Sequence, residues 1–394
     1  MSEERYRSLS DSVREQDVVA ICRDLIRFNT VNPPGNEGPA AEYVGDYLRR
    51  AGLDVRNLRH SDARASVMAT LKGRGGAGAL MYNGHLDVVP EGAQPWSHDP
   101  FAGDVAGGRV WGRGASDMKS GIAAMMVAAR TLAEADLPLQ GDLIVTATAG
   151  EEVNMLGARE VVSLPGLDRL QAIVLSEPTG NEIGIAERGL LWLEVETHGK
   201  TAHGSTPHLG RNAILMMMPL LQELDHLDIP YENHPLLGDF TRSINTIHGG
   251  VKTNVVPDSC IATVDFRTVP GQSHTALRGL VEDLIAHLER DLPSFKASVR
   301  VNSDLSAVET DPSSEVVQRF AGIVAGVTGR RPVLGAVPFA TEAAVFVPAL
   351  GTPTVVFGPG EPALAHQPDE YVDIAKMVDA ARVLTLAAAS LLSG

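Results

Sequence analysis

Cysteine is scarce. Cys22 and Cys260 are the only two in 394 residues. That is too few for a disulfide framework, and they lie too far apart in sequence for a CxxC metal site, so a reducing cytoplasm is the expected setting. Long apolar runs are missing too. The longest helical stretches of that kind, Gly121 to Ala129 and Leu384 to Leu392, fall well short of the ~20 residues that span a bilayer. The opening segment MSEERYRSLSDSVREQDV carries charge throughout and has no apolar core, so no export signal is visible and a cytoplasmic location is expected. Positive charge is outnumbered, with 33 Lys and Arg against 49 Asp and Glu, a net charge of −16. Such a surface repels phosphate backbones and anionic headgroups, which argues against nucleic acid or a membrane as partner. Several catalytic signatures are also absent: no H-E-x-x-H, no G-x-S-x-G, no P-loop, and no complete G-x-G-x-x-G in the glycines from Gly112 to Gly121.

What remains is ordinary globular material. Hydrophobic residues make up 44% and charged residues 21%, and the length suits two or three folded units. The first half alternates helix-like segments (Val18–Phe28, Ala40–Leu48, Lys119–Ala133) with short apolar runs (Ser66–Lys72, Ala79–Tyr82, Asp142–Thr148, Ala172–Leu175). That alternation predicts an α/β domain with a mostly parallel sheet flanked by helices. After Glu187 the period changes to two in Leu190–Thr197 and Ser259–Arg267, with another β-like run at Ala297–Asn302 and helices at Asn212–Leu224 and Ser273–Leu288. From about Val316 the α/β signals return, with helices at Val316–Thr328 and Ile374–Leu392 and a strand at Pro353–Phe357. The expected organisation is therefore a domain built from residues 1–187 and 303–394, interrupted by a smaller α+β insertion at 188–302.

In open α/β sheets ligands collect at the carboxyl ends of the strands. Five candidate side chains stand after a strand, in a loop or at a helix entrance: His85 in NGHLDVVP, Asp117 in GRGASDMKSG, Glu152 in TATAGEE, Glu177 in LSEPT and His366 in AHQPDEY. Each alone has a plain alternative, such as a hydrogen-bonded turn, a helix N-cap or a solvated loop carboxylate. Together, two imidazoles and three carboxylates suit two divalent ions, for which zinc accepts this mixture of ligands. Glu151, adjacent to Glu152, leaves one acid as ligand and the other as general base. His85 and Asp87 are two apart, a spacing that lets a carboxylate serve a metal-bound imidazole.

These residues resemble the M20 metallopeptidases, the group of acetylornithine deacetylase and succinyl-diaminopimelate desuccinylase. The resemblance spans nearly the whole chain through GHLDVVP, WSHDPF at 96–101, GRGASDMKSG, GEE at 150–152, SEPT, KTAHGSTPHLGRN, GGVKTNVVP and AHQPDEYV, in family order. It implies a pair of zinc ions, with cobalt able to substitute. Asp117 would bridge them, His85 and Glu177 would hold one, and Glu152 and His366 the other. Asp87 would orient His85, and Glu151 would act as base and acid. The insertion would be a lid and dimerisation domain joining a homodimer, with His203 reaching the partner subunit's site to hold the oxyanion. Asn254 and Arg267 would touch substrate, and Arg188 and Thr341 would lie near its amino-acid portion.

The implied substrate is a small N-acyl-amino acid. FATEA at 339–343 and AHQPDEYV are similar to the deacetylase and the first half to the desuccinylase, but Glu342 replaces the Ser-Asp pair of the latter, which disfavours diaminopimelate. Carboxypeptidase or dipeptidase activity, or a non-catalytic metal-stabilised binder of acyl-amino acids, are the alternatives.

Overall fold

The computed structural model describes residues 3–75, 78–135 and 137–393. Two compact units divide them. One comprises Met1–Ile185, Glu309–Val337 and Thr341–Gly394, the other Ala186–Val308 and Pro338–Ala340.

The first unit is built on a sheet of nine strands among the described residues, running from one edge through Asp54–Arg59, Ala65–Leu71, Leu143–Thr148, Ala79–His85, Leu170–Leu175 and Thr354–Val356 to Ile183–Glu187 and beyond. Ala79–His85 and Leu143–Thr148 are buried at every position, as a strand covered by helices on both faces requires. Helix Lys119–Glu134 is small and apolar nearly all round (GIAAMMVAA) and is buried along almost its whole length. Helices Glu15–Arg27 and Ile374–Leu391 share its core, and the Tyr82 hydroxyl donates to Leu384 O at 2.5 Å. A buried Leu, Ile, Met or Phe there contributes about 1.5–3 kcal/mol relative to exposure.

Ala79–His85 runs parallel to Leu143–Thr148 with His85 opposite Thr148, and parallel to Leu170–Leu175 with Asn83 opposite Leu175. Thr354–Val356 joins in parallel, with Val356 opposite Leu175. The carboxyl ends of four strands therefore open on one edge. The segments that follow them, from Leu86, Ala149, Ser176 and Phe357, start side by side.

The second unit is an antiparallel sheet in the order Thr241–Gly249, Ser259–Thr268, Gly189–His198, Ala297–Leu305. Its period-two strands bury Leu191, Leu193, Val195, Cys260, Ala262, Val264 and Phe266 together with helices Ala213–His226 and His274–Asp291. Asn212 caps the first helix by accepting from the N–H groups of Ile214 and Leu215, and Ser273 caps the second through Ala276. Cys22 and Cys260 are both free and buried. Among the described residues no helix is long and apolar enough to cross a membrane.

Asp54–Arg59, Ile183–Glu187 and Thr241–Gly249 are among the strands that carry no sequence signal. Thr241–Gly249 is an edge strand, exposed or half-buried throughout, so nothing forces its side chains to alternate. Asp54–Arg59 (DVRNLR) is a second case of the same cause, an edge strand with a single buried side chain.

Candidate metal centre

Strand Ala79–His85 delivers His85 to the open edge, where the ring is 1% exposed. Its Nδ1 stands 2.9 Å from the Asp87 carbonyl oxygen, an acceptor, so Nδ1 carries the proton and Nε2 points its lone pair into the site. Nε2 lies 3.0 Å from Asp117 Oδ1 and 3.7 Å from Glu177 Oε1. A lone pair facing two carboxylates is repulsive unless a proton or a cation lies between them. Burial works against a charged ring, yet the Glu177 charge and the bond to Asp117 hold the His85 pKa well above its ordinary value.

Asp117 precedes helix Lys119–Glu134, and its peptide bond to Met118 is cis. The helix has no side-chain cap. The Asp117 carboxylate instead faces two imidazoles, with Oδ1 toward His85 and Oδ2 3.4 Å from His366 Nε2. His366 Nε2 is also 3.3 Å from Glu152 Oε1. His85, Asp117 and Glu152 each present one ligand atom within 4.8 Å of one another. One carboxylate thus stands between two groups, His85 with Glu177 and His366 with Glu152. Nitrogen and carboxylate oxygen donors in this mixture fit zinc-like divalent ions, and two His with three acids are sufficient ligands for two of them.

Charge in the pocket is crowded. Burial, followed by the neighbouring carboxylates, pushes Glu151 and Glu177 well above the usual carboxylate range. His366 is raised to about 10 by its bonds to Asp117 and Glu152. Asp87 moves the other way: burial opposes its charge, but the bonds to His85, Asn32 and the Glu151 N–H keep its pKa low.

Asp87 has a further part here. Its carboxylate lies 3.6 Å from His85 Nδ1, so the nearer partner that orients the ring is the Asp87 main chain. The carboxylate itself accepts from the N–H groups of Gly150 at 2.9 Å, Glu151 at 3.0 Å and Glu152 at 3.1 Å, and from Asn32 Nδ2 at 2.8 Å. It therefore fixes the turn that carries both acids.

Two buried residues that the sequence reading passed over hold the ligand loops. Glu370 accepts from the N–H groups of Ser116 at 2.7 Å and Asp117 at 3.0 Å, and from Arg113 Nη1 at 2.6 Å. Arg113 also donates to Gln367 O and Pro90 O, each at 3.2 Å. One buried ion pair thus fastens the segments that bear His85, Asp117 and His366. Burial raises Glu370 to about 7. No spacing in the sequence marks this pair, because its members are 257 positions apart. Glu370→Gln is expected to weaken metal binding or activity by about 10–100-fold, the usual effect of losing an outer-shell partner, measured by metal titration of the chelated protein. Glu342 supports the site in a similar way: it is buried, its Oε2 accepts from Thr148 Oγ1 at 2.6 Å, and burial raises it to about 7. Thr341 beside it is buried, with its Oγ1 accepting from Ala343 N.

His203, Arg188, Asn254 and Arg267 belong to the second unit. His203 is exposed and bonds Ser205, and its segment pairs with Val255, while Gly204 N donates to Asn254 O at 2.9 Å. Gly204, Asn212, Lys252 and Thr253 line a cavity of about 600 Å³ there. Arg188 donates to the carbonyl oxygens of Asp239 and Leu237, and Arg267 pairs with Asp265 at 3.0 Å.

Known proteins are similar to this chain in sequence and in fold. Residues 81–390 match the family described as Peptidase family M20/M25/M40. The acetylornithine deacetylase of Myxococcus xanthus is 34% identical over 385 residues, covering 95% of this chain and 97% of that one. A probable succinyl-diaminopimelate desuccinylase of Staphylococcus epidermidis is 30% identical over 389 residues, covering 91% and 93%. The M20 family metallo-carboxypeptidase of Sulfolobus solfataricus superposes with a TM-score of 0.77 at 19% identity, covering 95% and 99% of the two chains, and shares the fold. A metal-dependent hydrolase of amide bonds is the class that these findings define. The chain belongs to the M20/M25/M40 peptidase family.

Proposed function

We propose that this hydrolase cleaves the amide bond of an N-acyl-α-amino acid at a centre for two divalent ions, zinc by ligand type, held by His85, Asp117, Glu152, Glu177 and His366. The observation that carries the proposal is the Asp117 carboxylate, whose two oxygens face His85 and His366 at 3.0 and 3.4 Å. The ions, when bound, supply Lewis acidity that polarises the amide carbonyl and lowers the pKa of water. Glu151 takes the proton from the attacking water and returns it to the leaving amine as the C–N bond breaks, so one carboxylate serves as base and then acid. Its place is set by the Asp87 carboxylate, which holds the Glu151 N–H. His203 reaches the partner subunit's site and donates there to the developing oxyanion. Arg188 and Arg267 are suited to a substrate carboxylate, for which guanidinium is the bidentate partner, with Asn254 and Thr341 completing the contacts.

The acyl-amino-acid reading is supported by the names of the two relatives, an acetylornithine deacetylase and a probable succinyl-diaminopimelate desuccinylase. The second unit serves in this reading as lid and as the surface that joins two copies. Its exposed Leu215, Met218 and Val251 support that assignment, with Met218 61% exposed on helix Ala213–His226.

One preparation tests the whole proposal. Metal analysis, sedimentation and a panel of N-acetyl and N-succinyl amino acids with dipeptides is expected to give two ions per chain, a dimer, and hydrolysis of N-acyl amino acids above dipeptides. Two ions with no turnover of any substrate would favour a binder, and dipeptides cleaved faster would favour a peptidase.

A further inference from the structure

Ala65–Leu71 runs antiparallel to Leu143–Thr148, with Val67 opposite Ala147 as the last pair toward the site. Beyond it the chain turns away to carry Glu151, and the Ala149 N–H is left without a strand partner. Ser66 supplies one: its buried Oγ accepts from Ala149 N at 2.9 Å. The same Oγ is 2.7 Å from His60 Nε2, and His60 Nδ1 is 2.8 Å from Glu160 Oε2. The Glu160 carboxylate only accepts, so Nδ1 carries the ring proton and Nε2 is left to accept the Ser66 hydroxyl proton. Every donor then points one way, from Ala149 through Ser66 and His60 to Glu160. The His60 side chain is 4% exposed and that of Glu160 38%, so the chain runs from the buried turn to the surface.

The segments so joined lie on both sides of the two acids. Ala149 precedes Glu151, and Glu160 sits on helix Leu156–Val161 just after it. Gly157 at that helix start donates its N–H to Ala149 O at 2.7 Å. A Cβ on Gly157 would fall 2.6 Å from Ser66 Oγ and 2.7 Å from Ala149 N, so only glycine lets the helix close on the serine. Asp87 holds the N–H groups of Gly150, Glu151 and Glu152 from the metal side, and Ser66 holds that of Ala149 from behind. Four consecutive N–H groups are thus fixed by side chains rather than by a sheet or a helix. A carboxylate that must reach a water and then an amine is sensitive to small displacements of its backbone, since misplacement of about 1 Å can cost 10²-fold.

We propose that Ser66, His60 and Glu160 form a positioning relay that sets the direction of the Glu151 carboxylate for proton transfer. The three act through the backbone of the turn that carries Glu151, and Ser66 is too deeply buried to act as a nucleophile. The proposal rests on the reading of Glu151 as the base.

The test uses the metal-loaded full chain. Ser66→Ala and His60→Ala are each expected to lower kcat about tenfold with KM within about twofold and with metal content unchanged. His60→Gln, whose amide oxygen can accept the Ser66 proton, is expected to recover most of that loss. Combined with Glu151→Gln, Ser66→Ala should lower the residual kcat no further, because it acts only through the missing base. If Ser66→Ala does not fold, Glu160→Ala at the exposed end replaces it in the same comparison, with a loss of a few-fold. Glu151→Gln at wild-type kcat would remove the base reading and the relay with it. An inactive Glu151→Gln beside His60→Ala and Ser66→Ala at wild-type kcat would overturn the relay alone. So would losses that multiply in the double variant, or that follow a fall in melting temperature and bound metal.

Discussion

Glu151→Gln is expected to keep the fold and both ions while lowering kcat by about 10²–10⁴, the usual contribution of a general base. The substitution is nearly isosteric. The turn it stands on is held through backbone N–H groups of Gly150, Glu151 and Glu152 on the Asp87 carboxylate, and none of these bonds uses the Glu151 side chain. Removing one charge also eases a crowded pocket, because Glu177, Glu152 and Asp117 all act to raise the Glu151 pKa. What is lost is an atom able to take a proton from water. Stopped assays at saturating substrate beside metal analysis separate the two consequences: kcat falls while the ion count stays at wild-type. Glu152→Gln is the contrast: Glu152, which faces His366 at 3.3 Å, is a ligand in the proposed centre, and its loss should appear first in metal content. A Glu151→Gln variant with near-normal kcat would show that another group moves the proton.

Residues that gather at the site were legible where local sequence and strand ends coincide. His85 closes an apolar strand, Glu151 and Glu152 follow Leu143–Thr148, and Glu177 follows Leu170–Leu175, so parallel registration alone brings these acids and the imidazole to one edge. His366 offered no such signal. It lies in a loop at positive φ (63°), and its place beside Asp117 and Glu152 depends on the Arg113–Glu370 pair that anchors that loop. Strands Ala79–His85 and Leu143–Thr148 were readable because burial on both faces demands continuous apolar runs, whereas the edge strands Asp54–Arg59 and Thr241–Gly249 have almost no burial to record. The supporting bonds were unreadable for a different reason. Arg113 with Glu370, Thr148 with Glu342, and Ser66 with Ala149 are contacts between segments 257, 194 and 83 positions apart, and no periodicity encodes a single long-range hydrogen bond.

Chelation is expected to destabilise the protein, and by more as the pH rises. The ordinary pKa values are 4.5 for Glu and 6.5 for His, and in the metal-free fold Glu151, Glu177, His85 and His366 all lie above theirs, His366 at about 10. A group whose folded pKa is raised binds more protons in the folded state than in the unfolded chain, so its contribution to stability is complete below the unfolded pKa and disappears as the pH rises through the folded one. For the two glutamates that loss begins near pH 4.5, and for the two histidines near pH 6.5. The His366 share is small, because its side chain is half exposed and solvent screens it. Asp117 and Asp87 are depressed, so their contribution fades only as the pH falls below their ordinary 3.8, outside this window. Bound ions replace the missing protons as the positive charge between the carboxylates. They add RT ln(1 + [M]/Kd), about 4 kcal/mol at a thousandfold excess over Kd, and that affinity itself grows with pH as ligands deprotonate. Scanning calorimetry with excess chelator and with saturating zinc, at pH 5.5 and at pH 8, is expected to show the gap in melting temperature widening at the higher pH. A gap that is constant, or that narrows, would mean that these four acids and two imidazoles do not share one cation-dependent pocket.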